Sequence, residues 1–306
     1  MTPRTSSHSV PSIRAVSAQD AVSSASAHPV LACACPESAH RPARAAGAGA
    51  RKRLSQNFLA DPDIARRIVR SAGVGAGDLV LEIGPGDGML TAQLLGVAGR
   101  VLAYEIDARY AARLQARYAH DPRIHCYHKD FRDAPLPDEP FGVVANVPFG
   151  STTDIVRWCL AARQLTSATL LTQREFARKH TGDYGRWSKL TVTHWPTTTM
   201  HLGARIDRWH FRPVPRVDGA LLHLRRRPDP LLAGAAARDY RRLVELGFTG
   251  VGGSLAATLA TAFPPRRVRA ACAAAGIPAG TPVGLVAPER WFALYRALRP
   301  GAATGR

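Results

Sequence analysis

Asn146-Val147-Pro148-Phe149 places two hydrogen-bond acceptors and an aromatic face within four residues. Such a set suits chemistry at an exocyclic amine like N6 of adenine, whose lone pair is delocalised into the ring and attacks poorly. Alkyl transfer to that nitrogen needs its two hydrogens held and the nitrogen moved toward tetrahedral geometry. The Asn146 side-chain oxygen and the Pro148 carbonyl are the two acceptors, the latter fixed by the proline ring. The Phe149 ring could stack on an extruded base, a contact worth about 1–3 kcal/mol. Neither a metal nor a covalent nucleophile is required, because positioning and electrostatics carry an in-line transfer. Alone, the tetrapeptide reads almost as well as a turn in which Asn caps, Pro breaks and Phe enters the core.

Residues upstream weigh against the plain turn. Leu81-Glu82-Ile83-Gly84-Pro85-Gly86-Asp87-Gly88 runs from an apolar strand pattern into a glycine-rich turn, where Gly84 and Gly86 let the backbone approach a ligand. Its spacing is G-x-G-x-G. A dinucleotide fingerprint needs its third glycine where Met89 stands, so a pyrophosphate cradle is disfavoured. Glu105 follows Gly84 by 21 residues, a position from which a carboxylate accepts both hydroxyls of a ribose. Asp130 is placed to accept from an adenine amine, with Ile106 and Phe131 beside the two acids. Singly, Glu105 could be a helix-start carboxylate and Asp130 a turn residue. In order, at the ends of successive strands, they predict one crevice.

The elements that must position these groups alternate. Short apolar runs at Leu79–Gly84, Val101–Ile106, Ile124–Tyr127, Gly142–Asn146 and Ala168–Thr172 suit buried parallel strands. Helical patterns separate most of them, notably Asp107–Tyr118 and Thr153–Ala162, and Asp61–Ala72 opens the series with Asp61 as N-cap and Pro62 at its first position. Further strands are predicted near Thr197–Leu202 and Ala220–Leu224. After Pro228 the chain turns Ala- and Arg-rich, with helices expected near Arg238–Phe248 and Pro288–Leu298. This predicts an α/β doubly wound sheet over 51–228 and a small helical domain over 229–300. Residues 1–50, rich in Ser, Ala, Pro and Gly without periodicity, read as a disordered tail, and 301–306 as a second. A signal peptide is not expected, since no apolar stretch follows the early basic residues.

The charge balance points to a polyanion. The 306 residues carry 41 Lys and Arg against 23 Asp and Glu, a net +18, and 17 of the bases but only 6 of the acids lie in 201–306. Arg enrichment from a GC-rich genome is the plainer reading, yet it would not localise the excess. Five cysteines without a regular framework fit free thiols in a reducing compartment, and Cys33-x-Cys35 lacks the second pair of a zinc site. No apolar run is long enough to span a membrane.

Ser55-Gln56-Asn57-Phe58-Leu59, the Glu82–Gly88 loop, Glu105, Asp130 and Asn146–Phe149 together resemble the ribosomal RNA adenine-N6 methyltransferases. That superfamily holds the erythromycin-resistance (Erm) enzymes and the housekeeping small-subunit dimethyltransferases. Gln173–Ala177, Phe211–Val217 and Pro288–Trp291 also match family segments, so the resemblance runs from about Arg51 to Leu298. It implies a Rossmann-like class I methyltransferase fold, S-adenosyl-L-methionine as cofactor, and Gln56, Asn57 and Leu59 bordering that cofactor. It further implies that Phe211 helps to hold the target adenine and that the last domain assists RNA binding. Ser151-Thr152-Thr153-Asp154-Ile155 resembles the Erm pattern, in which Asp precedes the apolar pair where housekeeping enzymes usually have Pro. The implied substrate is large-subunit RNA, protein-free or early in assembly, and the implied outcome is resistance to macrolides, lincosamides and streptogramin B. A housekeeping small-subunit dimethylase, a DNA adenine methyltransferase and a non-catalytic RNA-binding protein on the same fold are the rivals.

The sequence departs from the pattern at Gly150, at Gly219 and in Thr249–Gly253, where relatives often carry basic residues; Arg266, Arg267 and Arg269 could compensate. Arg51-Lys52-Arg53 precedes the Gln56–Leu59 segment and is expected to touch RNA near the active site. Charge reversal at 51–53 should weaken RNA binding while leaving cofactor affinity unchanged, and equal loss of both in paired titrations would oppose that role. A cytoplasmic monomer without metal is expected.

Overall fold

The computed structural model describes residues 57–299. Its centre is a seven-stranded sheet of β1 (Leu79–Ile83), β2 (Arg100–Glu105), β3 (Ile124–His128), β4 (Phe141–Asn146), β5 (Leu165–Gln173), β6 (Thr198–Ile206) and β7 (Gly219–Arg226). The spatial order is 3-2-1-4-5-7-6. The first five strands are parallel, and β7 runs antiparallel between β5 and β6. The order reverses between β1 and β4, and ligands of open α/β sheets bind at the carboxyl edge of that switch point.

Every strand expected from the sequence is present, with some ends inside and others outside the expected bounds. β5 and β6 are each nine residues long, because the residues that extend them, such as Thr166 and Ser167 in β5 and Gly203 and Arg205 in β6, interrupt an apolar run. Alternation also sorts the core. Leu79, Leu81, Ile83, Val143 and Leu170 join one buried cluster beneath Ile155, Val156 and Cys159, while Val80, Val144 and Leu171 join the opposite one with Ile64, Ile68 and Leu94.

Helix α1 (Pro62–Ala72) has the expected N-cap: the Asp61 carboxylate accepts from the backbone N–H of Asp63 (2.9 Å), and Gly73 closes the helix in a left-handed conformation. The chain then supplies α2 (Met89–Leu94), α3 (Ala108–Arg117), α4 (Thr152–Ala161), α5 (Arg174–Thr181) and α6 (Lys189–His194). Of these, α2, α5 and α6 are too short and too polar for a periodicity signal.

Beyond the sheet lie α7 (Gly234–Gly247), α8 (Leu255–Leu259), α9 (Pro265–Ala274) and α10 (Pro288–Leu298). Arg266, Arg267 and Arg269 sit on α9, whose other face buries Val268, Ala271 and Cys272. These helices build a third core around Trp291, Tyr240 and Tyr295, and it reaches back to Val192 of α6, whose carbonyl accepts from the Tyr240 hydroxyl (3.0 Å). Gly247 is part of this packing, since a Cβ there would collide with the Trp291 ring and meet Leu255 at 2.8 Å. Gly247→Ala gains about 1 kcal/mol of helix propensity but overpacks a buried site at about 1–3 kcal/mol. We expect a net loss of stability, read as a lower melting temperature, with cofactor affinity unchanged below the transition.

Cys126, Cys159 and Cys272 are free thiols. Among the described residues, no helix is long and apolar enough to cross a membrane, and no cluster of three or more His, Cys, Asp or Glu could hold a metal ion.

Candidate active site

The carboxyl ends of β1, β2, β3 and β4 open into a cleft of about 180 Å³. Gly84, Glu105, Ile106, Asp130, Phe131 and Pro148 all line it, with Ser151 and Ile155 of the Ser-Thr-Thr-Asp-Ile segment; Tyr104, Lys129 and Arg132 join them without any signal in the sequence. A smaller cavity of about 20 Å³ adjoins, a shallow niche lined by Asn57, Phe58, Gly84, Asn146, Val147, Pro148 and Phe149. Gly84 and Pro148 belong to both. The two cavities therefore meet at the turn after β1 and at the tetrapeptide after β4.

The glycine loop is shaped by what it must approach. Gly84 has φ +67°, and the place its Cβ would take is open space, so the backbone itself forms the wall of both cavities. Gly86 is different: a Cβ there would strike the Phe58 ring, which packs over the loop and lies 5.1 Å from the Tyr110 ring. Glu82 of the same motif takes no part in the cleft. It is 1% exposed and accepts from the Thr91 hydroxyl at 2.6 Å, tying β1 to α2. Burial pushes its carboxyl up to about 8, so it stays largely protonated at neutral pH.

Glu105 ends β2 almost fully buried, with one carboxylate oxygen accepting from Gly86 N–H and the other from Asp107 N–H, both at 2.9 Å. Burial raises its pKa, and the two backbone donors oppose that shift. Each oxygen keeps a further lone pair. A locked carboxylate with spare acceptor capacity on the cleft wall is what a ribose diol requires. Ile106, about half exposed, adds an apolar surface next to it.

Asp130 holds its place differently. Its carboxylate caps the 3-10 turn Phe131–Asp133 through Arg132 N–H (3.0 Å) and is gripped by the Arg132 guanidinium (Nη2–Oδ2 2.6 Å). That contact lowers its pKa, so it is ionised at neutral pH. An adenine amine reaching Asp130 must share the carboxylate with Arg132, an interaction the spacing of acids along the sequence could not reveal.

Asn146 ends β4, and its Nδ2 donates to the Asn57 carbonyl at 2.8 Å. A carbonyl can only accept, so the end of the amide that faces it must be the nitrogen, which leaves Oδ1 as the acceptor for a substrate. The Pro148 carbonyl accepts from Ser151 N–H at 2.8 Å, which pins it; the Thr152 hydroxyl also reaches it, at 3.5 Å, but bonds more closely to the Phe149 carbonyl at 3.2 Å and can turn there when a target amine arrives. Phe149 is half-buried on the smaller cavity.

Asn57 and Phe58 reach the site through a two-stranded ribbon in which Phe58 pairs with Arg212 and Leu59 with Phe211. This ribbon corrects one expectation: Phe211 points into the core with Ile64 and Ile206 and is fully buried, so its ring is not offered to a base. The Leu59 side chain is buried beside it, which leaves its backbone, next to Phe58, as the part that can border a cofactor. In a ribbon lying over a core, residues on one side are sequestered together, and Leu59 and Phe211 are on that side. Gln56 and Arg51, Lys52 and Arg53 lie outside the described residues.

Known proteins share this arrangement. The ribosomal RNA adenine dimethylase family matches residues 47–299. An rRNA adenine N-6-methyltransferase of Aeromicrobium erythreum is 50% identical over 83% of this chain and 76% of its own length. The mycinamicin-resistance protein MyrB of Micromonospora griseorubida is 38% identical over 82% of this chain and 80% of its own. Among solved structures, the 23S rRNA methyltransferase ErmE superposes with a TM-score of 0.76 at 47% identity, covering 79% of this chain and 99% of that one. With its glycine loop, its strand-end acids and its Asn-Val-Pro-Phe turn in one cleft, this chain belongs to the ribosomal RNA adenine dimethylase family of methyltransferases.

Proposed function

We propose that this chain transfers methyl groups from S-adenosylmethionine to N6 of one adenine in large-subunit (23S) ribosomal RNA, and so confers macrolide, lincosamide and streptogramin B resistance. The observation that carries this reading is the meeting of two cavities at Gly84 and Pro148, with the Asn146 amide oriented at the junction. The resistance branch is favoured by the 38% identity to a mycinamicin-resistance protein and the 47% identity to a 23S methyltransferase.

The larger cleft fits the cofactor by its donor set. Glu105 would hold the ribose hydroxyls, Ile106 and Phe131 would flank the adenine ring, Asp130 would accept from its amine, and the bare Gly84 backbone would leave room for the amino-acid portion. The bound cofactor supplies an electrophilic methyl group on a sulfonium centre. This chain's residues then act on the nucleophile. The Asn146 Oδ1 and the Pro148 carbonyl hold the two hydrogens of the target amine, which draws the lone pair out of conjugation and aims it toward the cofactor cleft. Phe149 stacks on the extruded base, and a base must leave its helix to reach this depth, which favours a single-stranded or strained target. The methylated nitrogen, cationic after transfer, loses its surplus proton to water, since neither amide oxygen is basic enough to keep it. The protein acts as a cytoplasmic monomer on protein-free RNA.

Labelled methyl transfer from S-adenosylmethionine to purified large- and small-subunit ribosomal RNA, assayed separately, tests the reading. Label confined to the large subunit and recovered as N6-methylated adenine is the expected result. Label on the small subunit instead would transfer the protein to the housekeeping branch.

A further inference from the structure

The loop from Asp207 to Asp218 joins β6 to β7 at the carboxyl edge of β5, because Ile206 and Gln173 both pair with Gly219 there. It therefore rises from the same edge of the sheet as Asn146. At its head stands Trp209, 64% exposed and the most exposed large hydrophobic side chain among the described residues. Water-exposed tryptophan is unfavourable, and soluble proteins place it where something covers it.

Nothing about this tryptophan is loose. The Arg208 guanidinium lies over its ring, 4.7 Å from the centroid. Its own carbonyl accepts from Arg212 Nη1 at 3.0 Å. The next residue is bolted on both sides: the His210 carbonyl accepts from Ala60 N–H (2.8 Å), and its ring bonds the Asp61 carboxylate (2.8 Å). Arg208 N–H in turn donates to Asp218 at the far end of the loop. The result is a rigid aromatic face backed by a cation.

Its distance from the chemistry follows from the ribbon. Asn57 sits against Asn146, Leu59 pairs with Phe211, and the ribbon ends where Ala60 N–H meets the His210 carbonyl. Trp209 lies beyond it in the 3-10 turn Arg208–His210, which the His210 ring ties to Asp61. The extended chain from Asn57 to Asp61 spans about 13 Å. That is too far for the target base and suits a near neighbour in the same RNA strand. Beyond Ile206 a groove continues between α1 and β6, lined by Arg67, Arg70 and Ser71. Neither arginine pairs with a carboxylate among the described residues. A strand leaving Trp209 would find cations for its phosphates there.

We propose that Trp209 is a stacking platform for an unpaired nucleotide flanking the target adenine, which sets the register in which the RNA enters the site. This rests on the RNA-methyltransferase reading above. The test uses an RNA hairpin carrying the target adenine in its loop. Trp209→Ala should raise the KM for RNA about tenfold, leave kcat at saturating RNA within about twofold, and leave cofactor affinity unchanged. Trp209→Phe should recover most of the loss, and the hairpin should quench the fluorescence of the native protein but quench Trp209→Phe markedly less. An unchanged KM, a loss confined to kcat, or equal quenching in both proteins would overturn the proposal. If the native protein transfers no methyl to any RNA, the functional reading fails instead; hairpin binding by anisotropy then still decides the stacking role, since Trp209→Ala must weaken it about tenfold.

Discussion

Asn146→Ala is expected to lower single-turnover methyl transfer by about three orders of magnitude at saturating RNA and cofactor, with cofactor affinity within about threefold of native. Removing one preorganised donor from an oxyanion hole lowers the rate by about 10²–10³, and an acceptor aimed at a developing positive charge is the same effect with the sign reversed. Here the substitution removes two things. It takes away the free Oδ1, and it leaves the Asn57 carbonyl without the Nδ2–H that fixes the ribbon against β4. Asn146→Asp separates these contributions. It keeps acceptors at the site but sets a carboxylate oxygen against the Asn57 carbonyl, so the orientation is lost while acceptor capacity is not. If orientation matters as the geometry indicates, Asn146→Asp should fall nearly as far as Asn146→Ala. Circular dichroism and the melting temperature report whether each variant is folded. Full activity in a folded Asn146→Ala protein would remove the mechanism.

The sequence was most legible where chemistry and backbone geometry coincide. Glycines at 84 and 86, acids at or just past the ends of the next two strands, and Asn146 two residues before Pro148 are all constraints imposed by one edge of one sheet, and a regular strand–helix alternation delivers them in order. Side-chain partnerships were not legible in the same way. Nothing in the spacing of Asp130 shows that Arg132, two residues on, grips both its oxygens. Phe211 shows the opposite failure. Its place in Phe-Arg-Pro-Val-Pro carried the family expectation of a base contact, but the side of the ribbon it faces is decided by register with Leu59, and a shift of one residue in register exchanges buried and exposed faces. The helical region was legible only where an apolar stripe survived. α9 read as a basic cluster because its arginines flank the buried Val268 rather than standing apart from it. Trp209 carried no motif at all, and its interest comes entirely from exposure and its neighbours.

Glu105→Gln is expected to weaken cofactor binding about 100-fold, measured by calorimetry without RNA. Both oxygens of this carboxylate accept backbone N–H groups, from Gly86 and Asp107. An amide has one oxygen, so its NH2 must face one of those donors, which disturbs the glycine loop as well as the acceptor for the ribose. Hydrogen bonds to charged groups contribute about 1.5–3 kcal/mol each, so losing one or two accounts for the expected magnitude. The pH dependence gives a second handle. Burial raises the Glu105 pKa above that of an ordinary carboxylate, and the ionised form is the one that accepts from the ribose. Native cofactor affinity should therefore start to fall at a less acidic pH than a free glutamate would dictate, whereas Glu105→Gln should be flat over that range. Fold stability at this group runs the other way. A carboxyl whose pKa is raised by folding favours the folded state most below its unfolded pKa, and that contribution is lost as pH rises through the folded value. Mild acid thus weakens cofactor binding while relieving the burial of this charge. A melting temperature that holds across the pH range where affinity falls would assign the loss to Glu105 itself; a parallel fall of both would assign it to unfolding.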